Sequence, residues 1–252
     1  RRPTVAGQFY SSSNLGLKNE IAPLIDKKAI KSDCLACMLP HAGYMYSGAV
    51  AGQTLSCINI KDKIILLGPN HTGYGSAFSI MSEGVWQTPL GEIKIDSGLA
   101  KGILRHSKHL EDDSLAHIYE HSLEVELPLL QYVKDNFEIV PIVILSDEIN
   151  ILKEIGEDIA YVIKESGLKD SVMIMASSDM THYESQAQAA KKDKVAIQAI
   201  LDLNEDKLME RVRRLNISMC GYAPVIVMLC AAKSLGAKRA KLIKYQTSGD
   251  VT

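Results

Sequence analysis

The sequence predicts an α/β protein: one domain over residues 1–252, with a central, mostly parallel sheet, helices on both faces and an appended β-hairpin. Three observations predict it. Short β-branched or Met-rich apolar runs alternate with longer segments of helical spacing, as in a parallel sheet covered by helices. A length of 252 residues sustains one large core. No Gly/Ser or Pro-rich linker, low-complexity block or fixed-period repeat marks an internal boundary.

Taken in order, 15–28 has the apolar spacing of a helix and 34–39 reads as a buried strand. Helical spacing returns at 47–57 and an Ile- and Leu-rich strand follows at 63–67. The rhythm then breaks. Two strand-like pieces, 78–82 and 92–96, flank Gly84 and the Thr88-Pro89-Leu90-Gly91 turn and read as a hairpin. A helix at 115–134, a strand at 139–145, a helix at 151–165 and a strand at 171–176 resume the alternation. Helices at 186–203 and 222–235 and a last strand at 241–245 complete it.

With 46% hydrophobic and 23% charged residues, the chain is neither disordered nor fibrous. Twenty-eight Lys and Arg against thirty Asp and Glu leave a net charge of -2, without the basic excess that phosphate-backbone binding needs, so nucleic acid is not expected as a partner. The longest apolar stretches, such as 225–232, fall well short of the roughly 18 to 20 residues that span a bilayer, so no membrane association is expected. No apolar stretch follows the basic start, and the five cysteines are an odd number in a chain that needs no staples. A reducing cytoplasm is the expected compartment.

The chemistry is expected at the strand ends. The first strand runs into Pro40-His41-Ala42-Gly43-Tyr44 and the second into Gly68-Pro69-Asn70-His71. The strand at 171–176 leads to Ser177-Ser178-Asp179-Met180-Thr181-His182, and the last one to Asp250. Carboxyl ends of strands form the ligand crevice of open α/β sheets, so these groups are expected to converge. Two His and one carboxylate, with open positions opposite, suit Fe(II), and Zn(II) accepts the same donors. Cys34 and Cys37 lie in a strand, where i and i+3 face opposite sides, and read as core.

Rival motifs are weaker. His117-Ile118-Tyr119-Glu120-His121 fits the H-x-x-E-H pattern of inverzincin metalloproteases, but that reading leaves the strand-end histidines unexplained. On a helix, Glu124 would lie within reach of His121 and orient its ring, while Glu120 reads as part of a solvated face. Gly68 and Gly73 have phosphate-loop spacing, yet Tyr74 stands where the Lys belongs. Cys220, before the helix at 222–235, reads either as a reactive, metal-proximal thiol or as a small buried residue.

Six ordered blocks span the chain: Arg2-Pro3 with Val5-Ala6-Gly7-Gln8-Phe9-Tyr10, Pro40-His41-Ala42-Gly43-Tyr44, Gly68-Pro69-Asn70-His71, Glu120-His121-Ser122-Leu123-Glu124, Ser177-Ser178-Asp179 with His182, and Cys220-Gly221 with Pro224. In these blocks the chain resembles the MEMO family, the B component of the AmmeMemoRadiSam system. That family resembles the class III extradiol dioxygenases, which implies a single α/β domain with non-heme iron at the strand ends. The resemblance implies His41 and His71 as metal ligands and His182 as the acid/base, with Asp179 and His121 beside them. Asn70, Tyr44, Glu124 and Cys220 are expected to line the pocket. Animal members carry a Cys after the last strand, where this chain has Val251, and the adjacent Asp250 is the expected third ligand.

Fe(II) is the expected cofactor, with Cu or Zn as alternatives. The expected partners are a small-molecule or peptide ligand, together with the radical-SAM and AMMECR-like components of the same system. Two functions are carried forward: dioxygenase-like redox chemistry at the metal, with His182 oriented by Asp179, or a non-catalytic module that binds a phosphorylated or carboxylated ligand in the same pocket.

Overall fold

The computed structural model describes residues 1–251. After α1 (Asn14–Ile21) come β1 (Ala36–Leu39), α2 (Tyr44–Ser56), β2 (Lys63–Pro69), β3 (Phe78–Ile80), β4 (Val85–Thr88) and β5 (Gly91–Ile95). Then follow α3 (Ser97–His106), β6 (Glu111–Asp112), α4 (Leu115–Ile118), α5 (Glu126–Val133), β7 (Glu138–Ile144) and α6 (Ile149–Glu165). The chain continues through β8 (Val172–Ser177), α7 (Gln186–Leu201), α8 (Glu205–Arg214) and α9 (Tyr222–Ser234).

The central strands run in the order β1-β8-β2-β7, all parallel. Beyond them the outer edge of β7 is shared: β5 pairs with its start in parallel, and β3 pairs antiparallel with its end, carrying β6. From β1 to β2 and from β7 to β8 the chain crosses the sheet in opposite directions. Right-handed crossovers therefore set α2 and α6 on opposite faces. The sheet is buried from both sides, and β2, β7 and β8 accordingly read as continuous apolar runs with nearly every residue buried.

Helix α9 is apolar all round because it is covered all round: it lies on β8 and β2 and packs against α6 and α8. Helix α6 turns Leu152, Ile155, Gly156, Ile159, Ala160 and Ile163 inward at helical spacing. At Gly156 the two helices touch backbone to backbone, since a Cβ there would sit 2.7 Å from Val227 O and from Cys230 Cβ.

The expected alternation holds, with differences at the hairpin, at α3 and α8, at 115–134 and at 241–245. The hairpin is β4 with β5, closed by a two-residue turn at Pro89-Leu90, while β3 leaves it to pair with β7. Helices α3 and α8 carry signals that apolar spacing alone does not reveal. Asp96 accepts the Leu99 N–H at the start of α3, and Asn204 accepts the Lys207 N–H at the start of α8. Acidic residues in the first turn of α8 and arginines in its last turn complement the helix dipole.

The helix expected at 115–134 stops at Ile118 and restarts at Glu126. Its ladder is cut because the Ser122 N–H goes to the Glu120 carboxylate at 2.9 Å rather than to a carbonyl one turn back. The strand expected at 241–245 is absent. That segment joins no ladder and is held instead through its side chains, Tyr245 OH donating to Asp193 on α7 at 2.7 Å. Among the described residues no helix is long and apolar enough to cross a membrane.

Replacing Gly156 by Val drives a branched side chain into the α6–α9 contact. The expected loss is about 1–3 kcal/mol of stability, read as an earlier midpoint in urea unfolding with an unchanged slope.

Candidate metal centre

Three loops bring three imidazoles together. His41 follows β1, His71 follows β2, and His121 lies in the break between α4 and α5. One ligand atom from each lies within 4.8 Å of the other two. The His71 and His121 rings stack with centroids 4.7 Å apart, and His41 meets both edge-on at 5.2 and 5.5 Å. His41 is buried at 2% exposure, whereas His71 opens to solvent, so the cluster has a closed side and an open side.

Close packing of backbone makes this possible. A Cβ on Gly68 would lie 2.6 Å from Leu123 Cδ2 and 2.7 Å from Ser122 Oγ, so only glycine lets the 120–124 loop rest on β2. Ser122 Oγ then donates to the Pro69 carbonyl at 2.9 Å. Gly221 does the same for the loop before α9, where a Cβ would stand 2.3 Å from Ser177 O.

Each ring is held from behind. The buried Glu120 carboxylate accepts the His71 backbone N–H, the Ser122 N–H and His71 Nδ1–H, the last at 2.9 Å, and its Oε1 lies 3.5 Å from His121 Nδ1. His41 Nδ1 meets Ser177 Oγ at 2.8 Å, and Asp179 Oδ1 accepts the backbone N–H groups of His41 and Ala42. The Nε2 atoms of His41 and His71 are left to face the centre. Cys220 Sγ lies 3.3 Å from His41 Nε2 and interacts electrostatically with His71.

The electrostatics follow from this packing. Burial opposes ionisation of Glu120, but His71, the Ser122 N–H and His121 draw its carboxyl down to about 2. Burial likewise works against a charged His71, yet Cys220 and Glu120 hold its pKa up to about 10. Cys220, raised by burial, is brought down to about 6 by His41 and His71. His121 falls to about 4 through burial, with the His41 and His71 charges adding to it and Glu120 opposing. The donor set fits a divalent transition metal. Its imidazoles converge, two have their far nitrogens fixed, and a thiol of lowered pKa stands beside them.

Of the residues expected here, the structure gathers His41, His71, His121 and Cys220. Asp250 does not join them. It closes a 3-10 turn, accepting from Thr247 N and Oγ1 and from Gln186 Nε2, because the strand that was to deliver it does not form. Asp179 braces the His41 turn rather than orienting His182, whose Nδ1–H donates to the Ser218 carbonyl at 2.8 Å. Glu124 does not orient His121. Out of helical geometry it turns to the N-terminal segment, taking Thr4 N, Val5 N, Tyr10 OH and the Arg1 guanidinium. Asn70 shapes its own loop, accepting from Thr72 and Gly73 and donating to Tyr74 O, and Tyr44 donates to Val125 O from within the core.

The H-x-x-E-H reading also dissolves, since His117 is buried against Trp86 and only His121 reaches the cluster. Glu120, which reads as a solvated residue on a helix, is the buried anchor of the site at 1% exposure. Glu126 and Ser177 escaped sequence reasoning altogether as site residues.

Residues 1–252 match the family model described as Memo-like protein. A MEMO1 family protein of Methanococcoides burtonii is 43% identical over 254 residues, covering 100% of this chain and 94% of that protein. One from Aquifex aeolicus is 41% identical over 260 residues, covering 100% and 93%. Among solved structures, an uncharacterized protein of Escherichia coli K12 superposes with a TM-score of 0.49 at 14% identity, over 69% of this chain and 76% of that one.

Because folding depresses the Glu120 pKa, the stability it contributes is present above about pH 4.5 and is lost as pH falls toward about 2. Glu120→Gln is expected to remove that acid-range slope and to cost about 3 kcal/mol at neutral pH, as measured by urea unfolding across pH.

Proposed function

The chain belongs to the Memo-like family, and from that premise we propose that it is a metal-dependent redox protein whose ion is held by His41, His71 and His121. The observation that carries this reading is the convergence of three imidazoles from three separate loops on one point, with a solvent-facing side. Fe(II) held there would supply one-electron chemistry and open positions at which dioxygen and a substrate with adjacent oxygens meet.

The protein's own part is positioning. Glu120 and Ser177 hold the His71 and His41 rings so that Nε2 points inward. The 3.3 Å between His41 Nε2 and Cys220 Sγ is close to the separation of two donors on one ion, with Zn–N and Zn–S bonds of about 2.0 and 2.3 Å, and it makes Cys220 a fourth ligand. His182, its Nδ1–H committed to Ser218 O, leaves Nε2 as the group that would accept a proton from substrate.

Protein purified anaerobically and reconstituted with Fe(II) is expected to hold stoichiometric iron by mass spectrometry, His41→Ala and His71→Ala to lose it, and His121→Ala, with two imidazoles and Cys220 left, to bind it more weakly but still detectably. Iron-loaded protein is expected to consume oxygen with a catechol-like or enediol substrate. If no iron, copper or zinc is retained, the reading fails in favour of a non-catalytic module for a phosphorylated or carboxylated ligand.

A further inference from the structure

The network behind His41 can be solved by counting hydrogens. Ser177 Oγ has three partners, each at 2.8 Å: His41 Nδ1, the Ser122 carbonyl and Glu126 Oε1. A hydroxyl owns one hydrogen and accepts two. The Ser122 carbonyl only accepts, so the Ser177 hydrogen goes to it. The two remaining contacts must then be donated to Ser177, one by His41 Nδ1–H and the other by Glu126. A carboxyl group donates only when protonated.

Burial supports the count. Glu126 is fully buried, and its Oε2 has no hydrogen-bond partner, a state far costlier for a carboxylate than for the carbonyl oxygen of an acid. The titratable groups around it are Cys37 on β1 and Tyr44 on α2, both pushed up by burial, with His41 beyond β1 and Asp179 beyond β8. Among the described residues no Lys or Arg pairs with it. Burial, opposed by the nearby His41, raises its pKa to about 8.

We propose that Glu126 is held as a neutral acid that donates to Ser177, and that Glu126, Ser177 and the Ser122 carbonyl together keep the proton on His41 Nδ1 and turn Nε2 toward the cluster. Glu126 and Ser177 are positioning residues. The two histidines are thus backed differently, His71 by an ionised carboxylate and His41 by an uncharged relay. The inference rests on the metal reading for its purpose but not for its proton count.

The test uses the whole chain, first without metal. An infrared difference spectrum between wild type and Glu126→Gln at pH 7 is expected to contain the carbonyl band of a protonated acid, and nitrogen NMR is expected to find His41 Nδ1 protonated. With Co(II) as probe, Glu126→Gln, whose amide still donates to Ser177, is expected to bind within about threefold of wild type. Glu126→Leu and Ser177→Ala are expected to bind about 10- to 100-fold more weakly. An ionised-carboxylate spectrum at pH 7, or equal loss of affinity in Glu126→Gln and Glu126→Leu, overturns the proposal. If the acid band and the Nδ1 proton are found but no chain binds Co(II), Fe(II) or Zn(II), the metal reading fails and the assignment of Glu126 stands.

Discussion

A carboxylate buried at 1% exposure must find donors, and the ones Glu120 finds shape the centre. By taking the Ser122 N–H it ends a helix at Ile118, and by taking the backbone N–H and the Nδ1–H of His71 it ties the loop after β2 to the loop after α4. The interrupted helix is what turns His121 toward His71, where the two rings stack. A continuous helix from 115 to 134 would carry His121 along its own surface instead. The local cost of the broken ladder is offset by charge-assisted hydrogen bonds, which are roughly twice as strong as neutral ones.

The same loop serves both faces of the centre. Ser122 donates to Pro69 O through its hydroxyl and accepts from Ser177 through its carbonyl, so one residue sits between the His71 strand and the His41 network. Glu124, two residues on, fastens the N-terminal segment, with Arg1 lying over Trp86 at 4.3 Å. The geometry of the three imidazoles is therefore fixed by polar bonds from residues 120–126 together with Ser177 at the end of β8 and Asp179 just beyond it.

Much of this was legible in the sequence. The strand runs that deliver His41 and His71 are apolar and short, and a residue just past a parallel strand has few places to go but the crevice. What was illegible has physical causes. Residues 115–134 have good apolar spacing for one helix, and nothing in periodicity records that Glu120 bonds to Ser122. Lys241 to Tyr245 looks like a strand by composition, but with no ladder to join it leaves Asp250 in a surface turn. The family resemblance implied His121 beside the metal ligands, and the structure gathers it with His41 and His71; the glycine at 68, read only as part of a phosphate-loop spacing, was the one local hint that another loop presses on β2.

The central claim is that one ion is shared by imidazoles from the loops after β1, after β2 and before α5. X-ray absorption at the iron edge of anaerobically loaded protein reads that coordination shell directly. Expected are three imidazole nitrogens, identified by their outer-ring scattering, and one sulfur from Cys220, with one of the nitrogens lost in His121→Ala. A shell with the full imidazole count retained in His121→Ala, or one built from oxygen donors with a single imidazole, contradicts it.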